Sequence, residues 1–319
     1  MKIIVTGSAG FIGSNLCEEL LRQNEEVIGI DNFDDYYSPA QKEKNLVECL
    51  KNSNFTLYRN SVTDREVIAQ IVAQHKPKVI VHLGGLASVR FSIGKAKLYN
   101  EVNVLGSINL LDAAIENNVQ NFIYAGTSSI YGNTQTIPFI ESDPCNSPLA
   151  PYAASRKAVE TLGYSYHNLY QLNFTVLRFF SVYGPRGRPD MMPYIAIDKI
   201  SNNEKIVLFD SGQMWRDWTY INDVINGVIA AIKTPLGYEI INLGRGKPIL
   251  MADFIKILEE LIGKKAFLEC SPAPASEIKI NYANIDKAKR LLGYIPSTDL
   301  RSGLEKMWEW YQCSIKNEC

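Results

Sequence analysis

Gly7, Gly10 and Gly13, spaced three apart, separate a run that reads as a β-strand, Ile3-Ile4-Val5-Thr6, from a stretch with helical spacing over residues 11–22 (Phe11, Ile12, Leu16, Leu20, Leu21). Glycine at such a junction permits a tight strand-to-helix turn with no side chain in the way. The strand-helix rhythm then repeats. Strands are expected over 26–30, 56–58, 78–82, 121–125 and 174–180, alternating with helices near 42–51, 64–74, 95–117 and 152–172. Alternation at this spacing makes βαβ units and a parallel sheet buried on both faces. Beyond Phe180 the pattern loosens into a loop containing Gly184, Pro185, Gly187 and Pro189, then shorter mixed elements and a helix near 300–312. This half reads as a smaller, substrate-facing portion. The absence of a low-complexity linker implies an intimate interface between the two.

Composition removes several classes of function. The 33 Lys+Arg and 34 Asp+Glu of this 319-residue chain leave a formal charge of −1, so nothing in the charge favours nucleic acid or an anionic membrane. No stretch approaches the roughly 18 apolar residues of a membrane span. The same glycines break the early uncharged run before it can read as a signal peptide. Only His75, His82 and His167 are present, and Cys17, Cys49, Cys145, Cys270, Cys313 and Cys319 form no Cys-x-x-Cys pair. No metal site is expected, and the cysteine usage points to a reducing cytoplasm.

The glycine turn lets the backbone approach a pyrophosphate, and the N-terminus of the following helix offers free N–H groups and positive dipole. Asp31 closes the second strand, 24 residues after Gly7. A carboxylate there accepts both hydroxyls of an adenosine ribose and repels a 2′-phosphate. No Lys or Arg follows it before Lys42, which favours NAD over NADP.

Further segments accompany the Gly-x-x-Gly-x-x-Gly turn in a fixed order: Asp31-Asn32, His82-Leu83-Gly84-Gly85, Asn103-Val104-Leu105-Gly106, Thr127-Ser128-Ser129-Ile130-Tyr131-Gly132, Pro151-Tyr152-Ala153-Ala154-Ser155, Leu177-Arg178-Phe179-Phe180, Tyr183-Gly184-Pro185-Arg186, Arg216-Asp217-Trp218-Thr219-Tyr220 and Asp223. Over nearly its whole length the chain resembles the extended short-chain dehydrogenase/reductase superfamily. The resemblance implies an α/β, Rossmann-type doubly wound parallel sheet with a smaller C-terminal substrate-binding domain. It assigns residues 1–180 and about 217–243 to NAD, and 181–216 and about 244–319 to a nucleotide sugar. Implied cofactor contacts are Gly7, Gly10, Phe11, Ile12, Gly13, Asp31, Asn32, Ser61, Val62, Leu83, Gly84, Gly85, Asn103, Tyr152, Arg156 and Phe180. At Ser61-Val62 relatives usually carry an Asp before the aliphatic residue, so the adenine contact departs from the pattern. Asp223 and Asn242 are expected to be structural. The helices near 95–117 and 152–172 resemble those of a four-helix homodimer contact, although their apolar stripes also suit an intrachain core.

By the same resemblance Thr127 and Tyr152 converge on a substrate hydroxyl. Hydride leaves a sugar carbon only as the hydroxyl proton is removed, so a base must touch that oxygen. A tyrosine of pKa near 10 needs a neighbouring cation to act as phenolate. The superfamily supplies a Lys four residues on; here Arg156 stands at that position and Lys157 lies one residue later, about 100° around the helix. Arg156 keeps the charge, but its planar fork differs from an ammonium.

Related dehydratases carry Asp-Glu after the Thr, and decarboxylases usually a Glu; this chain has Ser128-Ser129. That favours 4-epimerisation of a UDP-sugar through a transient 4-keto intermediate, with tightly bound NAD regenerated each cycle. Asp31-Asn32-Phe33-Asp34-Asp35-Tyr36-Tyr37 and Gly184-Pro185-Arg186-Gly187-Arg188-Pro189-Asp190-Met191 resemble UDP-glucuronate 4-epimerases. A 4-keto uronate is a β-keto acid, so a clamp on its carboxylate suppresses decarboxylation. Arg188 and Ser181 match clamp positions, Arg90 less closely. Ser128, Ser129, Arg186 and Arg216 complete the implied substrate set, Arg216 on the diphosphate or paired with Asp217 or Asp223. A second phosphate contact is unsettled, because Ile280 stands where relatives often carry Arg and Lys279 is adjacent. The alternatives are a UDP-glucose or UDP-N-acetylglucosamine 4-epimerase, a binding protein weakened by Arg156, or net oxidoreduction.

Overall fold

The computed structural model describes residues 1–315. Strands β1 (Lys2–Thr6), β2 (Glu26–Ile30), β3 (Phe55–Tyr58), β4 (Val79–His82), β5 (Asn121–Thr127) and β6 (Asn173–Phe179) join the later strand Tyr238–Leu243 in one parallel sheet. The order across it is Tyr238–Leu243, β6, β5, β4, β1, β2, β3. This is the doubly wound Rossmann arrangement expected from the sequence. Alternation along β1 sends Ile3 and Val5 to one face, with Leu16 and Leu20 of helix α1 (Phe11–Arg22) and Val224 and Val228 of helix Ile221–Lys233. Ile4 faces the other side, among Ile68, Ile71, Leu110 and Leu111. Both faces are therefore dry along the central strands β1, β4 and β5, which are apolar almost throughout, whereas the edge strand β3 is only partly buried.

Chain order reverses between β1 and β4, which leaves a crevice outside their carboxyl ends. Three small sheets lie beyond this framework: Ser181–Tyr183 with Trp218–Tyr220, Lys205–Phe209 with Phe267–Ser271, and Trp215–Arg216 between Ile249–Leu250 and Ile280–Asn281.

Some elements differ from the sequence reading. The helix expected over 42–51 begins earlier, as Pro39–Asn45 followed by Val47–Leu50, because Pro39 serves at a helix start where an N–H is not needed. The helix expected over 95–117 contains a π-helical segment, Asn100–Leu105, between Ala96–Tyr99 and Gly106–Glu116. The Ser107 hydroxyl donates to the Asn103 carbonyl in that wider turn. Asp223 and Asn242 do structural work: Asp223 accepts from the Ser297 and Thr298 N–H groups, and Asn242 accepts from the Tyr131 hydroxyl. Cys17, Cys49, Cys145 and Cys270 are free thiols, whereas Cys313 is disulfide-bonded; Cys319 lies outside the described residues. Among the described residues no helix is long and apolar enough to cross a membrane, and no His, Cys, Asp and Glu cluster suits a metal.

A buried ion pair ties helix Pro151–Tyr170 to β6. Arg178 Nε and Nη2 donate to the two oxygens of Glu160 at 3.0 and 2.9 Å, and Nη1 donates to the Tyr131 hydroxyl at 2.8 Å. Arg178 and Glu160 side chains are 0% and 1% exposed, so removing one partner strands the other charge in a dry interior. Glu160→Ala is expected to cost about 3–5 kcal/mol of unfolding free energy in urea denaturation; a loss within about 0.5 kcal/mol, as at a surface site, would contradict this account.

Candidate active site

The crevice opens into a cavity of about 570 Å³ whose floor is backbone. Gly7 has φ +68°, and a Cβ there would lie 2.8 Å from the Gly84 nitrogen. A Cβ on Gly13 would lie 2.0 Å from the Gly7 carbonyl oxygen, so α1 can start this close to β1 only with glycine. Gly10, Phe11, Ile12, Leu83, Gly84 and Gly85 line the same floor, with the first turn of α1 facing the cavity. Asp31 accepts from the Ala9 N–H at 3.0 Å and the Phe33 N–H at 2.8 Å, which leaves lone pairs on both oxygens. Burial raises its carboxyl above the ordinary range, although those bonds and Lys42 oppose the shift. Asn32, Ser61, Val62 and Phe180 also line the cavity. The Ser61 hydroxyl is spent on Thr63, and Val62 packs beneath Gly106.

Behind this floor runs a polar chain. The Gly84 N–H donates to Thr6 Oγ1, Thr6 Oγ1 meets His82 Nδ1 at 2.7 Å, and His82 Nε2 meets Ser107 Oγ at 2.9 Å. Ser107 spends its proton on the Asn103 carbonyl, so His82 must donate from Nε2 and accept at Nδ1. Burial, reinforced by the Arg156 charge, pushes the His82 pKa down to about 3, so the ring is neutral.

Helix Pro151–Tyr170 brings Tyr152 and Arg156 to the wall beside Thr127, at the end of β5. Arg156 is buried, with Nη1 at 3.4 Å from both the Tyr124 hydroxyl and the Ala125 carbonyl and its Cζ 5.8 Å from the Tyr152 ring centroid. Lys157 instead turns away to Glu160. The Ser129 N–H donates to Thr127 Oγ1, and Ser128 Oγ accepts from Asn281. Ser181, Arg188 and Arg216 line the far side. Arg188 is paired with Asp190, and Arg216 with Glu277 at 3.0 Å. Neither Asp217 nor Asp223 pairs with Arg216: Asp217 accepts the Arg245, Gly246 and Ala283 N–H groups instead.

Three sequence assignments fall outside the cavity lining. Asn103 is fully buried behind Gly85, its amide spent on the Leu86 backbone and Ser155, so it shapes the wall without lining it. Arg186 sits at φ +67°, and its side chain reaches Glu18 on α1 at 2.6 Å. Arg90 pairs with Glu277 at 2.7 Å over the Phe209 ring. Conversely, Tyr36, Tyr37, Lys42, Glu277 and Asn281 line the cavity although the sequence reading assigns none of them a contact; Tyr36 and Tyr37 enter it only within the stretch after Asp31. Lys42 folds back over the Tyr37 ring and donates to the Asp34 carbonyl, and burial lowers its pKa. The repeated aromatic pair after Asp31 was the available signal for the two tyrosines.

Residues 3–244 match the family model described as the NAD dependent epimerase/dehydratase family. The chain belongs to that family. This family member is 41% identical over 314 residues to a UDP-glucuronate 4-epimerase from Thermodesulfobacterium geofontis, covering 98% of this chain and 97% of the relative. Among solved structures it resembles the UDP-glucuronic acid 4-epimerase of Bacillus cereus in complex with UDP-glucuronic acid and NAD, at TM-score 0.92 and 34% identity, over 98% of this chain and 99% of that one. It also resembles a Thermotoga maritima UDP-glucose 4-epimerase with UDP-glucose, at TM-score 0.91 and 29% identity, over 99% and 100% of the two chains.

The site of this family member fits NAD on its own evidence. The cavity reaches down to bare glycine backbone at Gly7, Gly10, Gly13, Gly84 and Gly85, and the Tyr37 hydroxyl and Arg156 Nε are buried with no protein partner. Gly10 is the least crowded of the three turn glycines: a Cβ there meets the Gly7 carbonyl oxygen at 3.1 Å and the Tyr37 hydroxyl at 4.0 Å, against 2.8 and 2.0 Å to backbone at Gly7 and Gly13. Gly10→Ala is expected to weaken NAD binding about tenfold or more while unfolding stability falls by about 1–2 kcal/mol, the cost of a tight contact and a poorer helix cap. Calorimetric titration of NAD beside a denaturation curve checks this; undiminished affinity would remove Gly10 from the cradle.

Proposed function

We propose that this chain catalyses NAD-dependent 4-epimerisation of a UDP-sugar, UDP-glucuronate to UDP-galacturonate, through a 4-keto sugar. One observation carries the reading: the wall that presents Thr127, Tyr152 and Arg156 offers only hydroxyls at Ser128 and Ser129, while a guanidinium, Arg188, faces the same cavity. Elimination of water needs an acid and a base beside the sugar, whereas moving a hydride off and back onto one carbon does not. The UDP-glucuronate 4-epimerase relatives support the same substrate.

Bound NAD supplies hydride acceptance and return at the sugar C4. The glycine floor and Asp31 hold its phosphates and ribose in this reading, with the other cavity-lining cofactor residues around them. Tyr152 takes the proton of the 4-hydroxyl and returns it once the keto sugar has presented its other face. Thr127 holds the same oxygen. Arg156 keeps a permanent positive charge beside Tyr152, the part that lysine plays in the superfamily pattern. Arg216 faces the diphosphate, Ser181 and Arg188 the uronate carboxylate, and Ser128 and Ser129 the sugar hydroxyls. Residues 1–180 with about 217–243 carry the cofactor, and the remainder carries the nucleotide sugar. Exposed Leu98, Leu105, Tyr164, Leu169 and Tyr170, on the two helical stretches that resemble a dimer contact, support a homodimer. A cytoplasmic setting fits the free thiols Cys17, Cys49, Cys145 and Cys270, with Cys313 the one described cysteine in a disulfide.

A second reading, turnover of neutral UDP-sugars such as UDP-glucose, is favoured by one observation: Asp190 already neutralises much of the Arg188 charge. Arg188→Ala separates the two. Loss of a charge-assisted contact is expected to cut kcat/KM for UDP-glucuronate about 10- to 100-fold. UDP-glucose should lose less than about threefold, having no charge at C6. Equal losses on both substrates would refute the clamp.

A further inference from the structure

We infer that Asp190 and Tyr36 are positioning residues that set how Arg188 meets the substrate carboxylate, and so determine specificity for a uronate. The inference rests on the uronate reading above. Arg188 Nε and Nη2 donate to the two oxygens of Asp190 at 2.9 and 2.8 Å, a fork-to-fork pair. That pair occupies the guanidinium edge best suited to a carboxylate. A substrate carboxylate must therefore approach the remaining donors on Nη1 and the outer side of Nη2. The Tyr36 hydroxyl donates to Asp190 Oδ2 at 2.7 Å, and the Arg188 Cζ lies 5.8 Å from the Tyr36 ring centroid. Tyr36 in turn packs edge-on against Phe91 at 4.9 Å.

These contacts cross the molecule. Tyr36 belongs to the loop that follows Asp31 on the cofactor side, whereas Arg188 and Asp190 follow Ser181–Tyr183. Arg188 and Tyr36 line the cavity and Asp190 does not, so Asp190 acts through Arg188. Without its anchor, the long arginine side chain samples several rotamers, and ordering it again opposes binding. A neutral sugar never meets that cost.

The test is a double-mutant cycle on NAD-loaded protein, reading calorimetric Kd values for UDP-glucuronate and UDP-glucose in wild type, Tyr36→Phe, Arg188→Ala and the double variant. Tyr36→Phe keeps the ring and removes only the hydroxyl. It should weaken UDP-glucuronate about fivefold and UDP-glucose less than about twofold, and add nothing once Arg188 is gone. Additive losses, or equal losses on both ligands, would overturn the positioning role. An Arg188→Ala loss on UDP-glucuronate with none in Tyr36→Phe would overturn it while leaving the clamp intact. Unchanged UDP-glucuronate affinity in Arg188→Ala would remove the clamp reading itself, and this inference with it. Asp190→Glu in place of Asp190→Ala provides the rescue: the longer carboxylate should recover part of the uronate affinity that alanine loses.

Discussion

The site depends on one close approach of backbone to backbone. At the reversal of strand order, Gly7 after β1 and Gly84 after β4 lie nearer than any side chain would permit, and α1 begins against the same turn. Everything behind that contact holds it in place. Thr6 receives the Gly84 N–H, neutral His82 links Thr6 to Ser107, and Ser107 bonds the Asn103 carbonyl in the π-helical segment. Asn103 and Arg156 then close in on Gly85, where a Cβ would lie 2.7 Å from each. The cofactor floor and the catalytic wall thus share one support.

Arg156 is where the chain departs most from its superfamily pattern, and the surrounding packing explains how the change is accommodated. Its guanidinium sits between Tyr124 and Tyr152, whose rings lie 5.6 and 5.8 Å from Cζ. Burial works against the charge, yet the two phenols more than compensate, so its pKa is raised. Lys157 is committed to Glu160 and, through it, to the buried pair with Arg178. The cation at the wall is therefore the arginine, and the lysine one residue on belongs to the scaffold.

The fold was legible because a parallel sheet with both faces covered needs apolar strands, and strands at the ends of βαβ units announce themselves by glycine and helix spacing. Local motifs likewise placed Gly7, Asp31, Thr127, Tyr152 and Arg188 at the cavity. Legibility failed where a long side chain had a choice of partners. Arg186 and Arg90 are held outside the cavity lining by Glu18 and Glu277, whereas Arg216, which shares Glu277, lines the cavity as expected, and no spacing rule separates the three. Lys42 was read only as distant from Asp31 along the chain, yet the loop after Asp31 folds it back to the cavity. Asn103 carries a family-pattern signal, but the π turn commits its amide to the wall.

The most direct measurement follows UDP-glucuronate by proton NMR with purified protein and no added cofactor. The account predicts UDP-galacturonate as the sole product, which would establish inversion at C4, retained NAD and a working Arg156 together. UDP-pentose would contradict the carboxylate clamp. No conversion of UDP-glucuronate, even with NAD supplied, would contradict the proposed activity.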